Sequence, residues 1–158
     1  MTLPQKPVPV ALALSALNLL VPGAGFAVAG DWRRAAALFV VLNAIFAAGL
    51  AFNGVVIPPD TLNPRDPAFN IVGLLTFVVQ MFHGGGCLLL VGLEGLPGAP
   101  LRDWLVRDAA AAYSDLGSFH LLVAGALNYF ASAKLYDVLT RRGAVPTLKA
   151  DLGSGEQA

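Results

Sequence analysis

The apolar and polar positions divide this chain into four apolar stretches separated by short polar segments. Residues 8–30 and 35–57 carry no charge, residues 68–93 carry none apart from the ionisable His83, and residues 119–139 are apolar until Lys134 and Asp137. A helix needs roughly 20 apolar residues to cross about 30 Å of hydrocarbon. Backbone groups in lipid must also be satisfied within their own segment, which favours helices over strands. The pattern therefore predicts an all-α integral membrane fold of four transmembrane helices, forming a single domain over residues 1–142. Residues 143–158 are polar and contain glycine, as a disordered tail would. Between the third and fourth spans, Leu101, Trp104, Leu105 and Ala112 recur at helical spacing against Arg102, Asp103, Arg107 and Asp108, with Pro100 suited to a first helical position. That alternation predicts a short interfacial helix anchored by Trp104.

The punctuation within the stretches refines this picture. Pro22 removes a backbone donor, and Gly23 and Gly25 relax the chain, so the first span kinks or ends there. The same small residues would also serve as a notch where another helix docks closely. Asp31 precedes the second apolar run and suits an N-cap. Trp32, Arg33 and Arg34 suit the headgroup zone as interface anchors. Residues 58–67 hold four prolines in ten and predict a stiff loop outside the bilayer. In the third span Gly84, Gly85 and Gly86 follow one another, each weakening a helix by about 1 kcal/mol relative to Ala. They predict a break or a close backbone approach. Asn18 and Asn128 are amides inside apolar runs and should face neighbouring helices, as should the small Gly125. Asn43 and Asn53 lie on opposite sides of the second span and do not build one site.

Composition agrees with a lipid-embedded chain. Charged residues make up 13% of the 158 positions, against about a quarter in a soluble domain. The formal net charge is zero, which argues against nucleic acid as a partner, since phosphates demand a basic excess. Lys6, an apolar core and Ala27-Val28-Ala29 imitate a secretory signal peptide, but the run is long and interrupted by Pro22-Gly23, so it is taken as a retained span. With four crossings both termini share one side with Lys6, Arg65, Arg141, Arg142 and Lys149. Arg33, Arg34, Arg102 and Arg107 fall on the other. The positive-inside rule then leans towards cytoplasmic termini in an inner membrane, with Arg33 and Arg34 pulling the other way.

Candidate chemistry is sparse. The sequence carries no Gly-rich phosphate loop, no H-E-x-x-H and no serine elbow. His83 and Cys87 share a helix face, but two ligands do not make a zinc site, and no metal is expected. The lone thiol forms no internal disulfide. An intramembrane His is a functional candidate by default. His83 could ligate a haem or a chlorophyll-type pigment, with the neighbouring glycines leaving room for a flat ring. The bland alternative is a His bonded to a neighbouring helix, and His120 at the start of its span fits a headgroup position. Lys134 and Asp137, at i and i+3, are spaced to form an ion pair.

The segment containing Pro22, Gly23, Gly25, Gly30, Arg33 and Arg34 resembles the bacterial two-transmembrane-helix hairpin proteins, which carry Leu-Pro-Gly-x-Gly, then a Gly, basic residues and a new span. Ala27 and Val28 stand where aromatics are common in that group. Tyr113–Gly117, followed by Val123–Asn128 and Asp137, is similar to the last span of an uncharacterised small multi-pass membrane family. These resemblances imply a helical membrane fold and no particular activity.

The leading expectation is a non-catalytic membrane subunit or scaffold that packs against other integral membrane proteins or itself. A cofactor- or pigment-bearing electron-transfer subunit using His83 comes second. A small transporter or lipid-handling enzyme, resting on the intramembrane polar residues, comes third.

Overall fold

The structure is a computed structural model that describes residues 3–56, 59, 61–94 and 112–140. Among these residues all regular structure is helical: α1 Val8–Leu20, α2 Ala24–Val28, α3 Trp32–Ala51, α4 Ile71–Met81, α5 Gly85–Glu94 and α6 Ser114–Thr140. The interfacial helix expected around Trp104 and the tail after residue 142 lie outside the described residues.

Two of these helices, α3 and α6, are long and apolar enough to cross a membrane. The α4–α5 pair passes the same test only if taken as one span, and it bends by 116° at its break. At 13 residues α1 reaches only about 20 Å. Of the four crossings expected from the sequence, two are long helices and two are interrupted where the sequence placed a kink or break. The physical cause lies at two three-residue breaks, 21–23 and 82–84. Each ends on a glycine in the left-handed region, Gly23 at φ 85° and Gly84 at φ 63°, where a Cβ would be strained.

The contacts show which way each element runs. The Lys6 N–H donates to Leu139 O at 3.0 Å, and Asn18 meets Asn128 and Ser132, so α1 lies antiparallel to α6. Ala35 packs with Leu135 at the start of α3, and Gly49 abuts Gly117 and Leu121 near its end. Hence α3 is also antiparallel to α6, and α1 and α3 run the same way. The chain achieves this by turning back: α2 packs Gly25 against Leu14 and Asn18 of α1 and returns to the end from which α1 started. Arg33 and Arg34 thus lie at the same end as Lys6, not across from it as four crossings required. The loop carrying Arg65 leaves from the opposite end, where Val55 meets Ser118.

Local capping fixes the helix starts. The Asp31 carboxylate accepts from Arg34 N–H at 3.2 Å and is ion-paired with Arg34 Nε at 3.2 Å. Asn70 Oδ1 accepts from Val72 and Gly73 N–H at 3.0 and 3.1 Å and starts α4.

Two apolar clusters flank the midpoint of α6. One joins Ala11, Leu14, Phe26, Ala35, Leu135 and Leu139; the other joins Phe46, Val56, Cys87, Leu90, Leu121 and Ala124. The outer surface is also apolar: Val40, Val72, Phe130 and Trp32 are each 63–72% exposed. A soluble monomer rarely exposes so much contiguous apolar surface, and lipid accepts it.

Candidate functional site: a polar seam where two helix breaks meet

The two breaks abut one another beside the middle of α6. A Cβ at Gly84 would collide with the backbone of Leu19 and Leu20, so only glycine lets the turns touch. On the other side Gly125 admits α4, since a Cβ there would strike Val79 O. A broken helix leaves its last carbonyls without amide partners, and between apolar walls each such group is costly.

Asn128 resolves this for both breaks at once. Its Nδ2 donates to Leu19 O at 3.0 Å and to Phe82 O at 2.8 Å. Asn18 Nδ2 donates to Ser132 Oγ at 2.9 Å and, more weakly, to Asn128 Oδ1 at 3.4 Å. Ser132 Oγ in turn donates to Asn128 O at 2.9 Å. Towards the other end of α6 the pattern repeats with different residues. Gln80 Nε2 donates to Ser118 O and Val55 O at 3.3 and 3.4 Å. Ser118 Oγ accepts from Val55 N–H at 3.1 Å and donates to Val55 O at 3.2 Å. The seam is neutral throughout, made of amides and hydroxyls closing backbone groups.

His83 sits in the second break and is 1% exposed. Its ring stacks on Phe46 with centroids 4.1 Å apart and planes 18° apart. Neither ring nitrogen makes a hydrogen bond to the described residues. Gly86 lies against it, where a Cβ would come within 2.7 Å of Nδ1. The glycines expected to leave room for a macrocycle are instead occupied: Gly84 by α1, Gly86 by this ring, and Gly85 within reach of Leu20. Ser15 Oγ, Asn18 Oδ1 and Gln80 Oε1 are likewise buried without partners.

The remaining residues singled out by sequence lie apart from the seam. Cys87 is a free, fully buried thiol, and no group of three or more His, Cys, Asp or Glu gathers among the described residues. His120 Nδ1 donates to Leu116 O at 2.8 Å, one turn back on its own exposed helix face. Lys134 Nζ lies 3.7 Å from Asp137 Oδ2 on the surface. Trp32 is exposed beside Arg33 and Arg34; Trp104 lies outside the described residues. Gly23 packs on Ala35 O, so Pro22-Gly23 is both a break and a docking notch. Asn53 turns out of α3 and donates to Ala112 O at 3.0 Å.

Sequence reasoning missed Ser132, noted Gln80 without a role, and took Ser118 for a helix cap, whereas α6 starts at Ser114. A signal was present: Gly117, Leu121, Ala124, Gly125, Asn128, Ser132, Leu135 and Leu139 form one buried stripe at three- and four-residue spacing along α6.

A model for a family of unknown function, DUF6677, matches residues 13–144. The chain belongs to that family. The match covers α1 from its sixth residue through all of α6, so both breaks and the seam fall inside it. Membership in the two-helix hairpin group suggested by Pro22-Gly23-x-Gly25 does not follow from it. No curated protein and no solved structure matches the chain.

Proposed function

We propose that this DUF6677 member is a non-catalytic integral membrane protein that acts by helix packing, as a subunit or scaffold of a larger membrane assembly. One observation carries the reading: the Asn128 amide is taken up by two backbone carbonyls at the helix breaks. The amides and hydroxyls of the seam hold the chain together, and the outward surface is left to apolar contact. In this proposal α3 and α6 cross the inner membrane, while α1–α2 and α4–α5 enter from opposite sides and meet near mid-depth. Lys6, Arg33, Arg34 and Lys134 share the end where α1 starts and α6 stops, and by the positive-inside rule that end is cytoplasmic.

Gentle extraction from native membranes, followed by native mass measurement, tests the reading. The expected result is a species well above the 16.4 kDa of one chain, containing further integral membrane polypeptides or further copies. A 16.4 kDa monomer in both mild detergent and lipid nanodiscs overturns it.

A second reading, a small transporter working as an oligomer, draws support from the meeting of two interrupted helices, the arrangement in which transporters hold solutes near mid-membrane. The unpaired His83 and Gln80 atoms at that depth add to it. Solute or proton flux in proteoliposomes that falls in His83→Ala favours this reading; flux equal to that of empty vesicles removes it.

A further inference from the structure

Outside the polar seam, the most developed feature is a groove of about 410 Å³ between the first turns of α3 and the α1–α2 turn. Its walls are apolar, with Val21, Pro22 and Ala27 on one side and Trp32, Ala36 and Phe39 on the other. Trp32 and Phe39 are seven residues apart, so the groove runs about 10 Å along α3, starting at the end that carries the basic residues. It exists because Ala35 and Ala36 stand between Trp32 and Phe39 and leave room beside the α1–α2 turn. We infer that this groove binds one anionic phospholipid, with an acyl chain between Trp32 and Phe39 and the phosphate at Arg33.

Charge selects the headgroup. Asp31 neutralises Arg34, whereas Arg33, a quarter-turn around the helix from Trp32, makes no ion pair among the described residues. Shape selects a lipid chain over a protein helix. At about 410 Å³ the groove is smaller than a 10 Å length of helix about 10–12 Å across.

The test is native mass spectrometry of the full-length protein, titrated in detergent with phosphatidylglycerol and with phosphatidylcholine. The wild type is expected to retain one phosphatidylglycerol with about fivefold preference, the scale of one basic residue at an anionic headgroup. Arg33→Gln should retain lipid but lose the preference. Ala36→Phe should lose retention of both lipids, with its far-UV circular dichroism unchanged. Equal retention of the two lipids by the wild type overturns the inference, as does a preference that survives Arg33→Gln. If Ala36→Phe displaces a second polypeptide rather than lipid, the groove is a protein interface and the inference is likewise overturned. Because Arg33 is exposed and outside the core, its variant keeps the test open even if Ala36→Phe fails to fold.

Discussion

Replacing Asn128 with Ala removes one side chain and unsettles two helix ends. The amide donates to Leu19 O and Phe82 O at 3.0 and 2.8 Å, and both carbonyls sit at breaks where the ordinary helical donor is lost. A buried acceptor stripped of its donor costs about 1–3 kcal/mol in water-soluble proteins. Hydrogen bonds between membrane helices average nearer 0.6 kcal/mol, with maxima around 1.7. Two acceptors without substitutes therefore place the loss between about 1 and 4 kcal/mol, and the enclosed position of Asn128 favours the upper half of that range. Asn18 keeps its bond to Ser132, so the cost should not spread further. The assay is reversible unfolding in mixed detergent micelles, followed by far-UV circular dichroism. Asn128→Leu, similar in size but without a donor, should lose as much as Asn128→Ala. Asn43→Ala is the control: its amide bonds only Phe39 O on its own exposed helix face, at 2.7 Å, so the change should stay within about 0.5 kcal/mol. Asn128 variants as stable as the wild type, or an Asn43 variant equally damaged, would refute the stapling role.

Three further outcomes are expected. Gly125→Ala should destabilise strongly, because its Cβ meets Val79 O, whereas Gly92→Ala, with open space around it, should be neutral or gain up to about 1 kcal/mol of helix propensity; thermal melts of the two variants compare them directly. Cys87 should resist maleimide in the folded protein and react fully after denaturation, given that it is entirely buried; stoichiometric labelling of the native state would contradict its placement. In a Cys87→Ala background, cysteines placed at Arg33 and Arg65 should label from opposite sides of a sealed vesicle, with a C-terminal tag on the Arg33 side. Labelling of position 33 from the side away from the tag would restore a crossing first span.

The sequence made some features legible and hid others, for definable reasons. Asp31 announced the start of α3, and Asn18 and Asn128 stood out as amides in apolar runs. Pro22-Gly23 and Gly84–Gly86 marked where helices would fail. What local chemistry could not supply was the angle after each failure. The reversal at Pro22 depends on Gly25 nesting against Leu14 and on Asn18 reaching Ser132, a contact spanning 114 residues. Counting apolar residues alone, 8–30 looks like a crossing and puts Arg33 and Arg34 across from Lys6, whereas the folded chain brings them to the same end. His83 shows the converse error: three glycines suggest vacancy, yet Phe46 comes from another helix to fill it.

That dependence on distant partners bears on how the protein is made. The amide that closes the first break is encoded 109 residues after the carbonyl it serves, so the N-terminal hairpin emerges from the ribosome long before anything can seal it. Until α6 is in place the Leu19 and Phe82 carbonyls lack the amide that closes them, and in the proposed bilayer setting the nascent chain has reason to linger in a sheltered insertion site. A copy truncated ahead of Asn128 would never leave that unfinished condition and would be a natural target for membrane quality control.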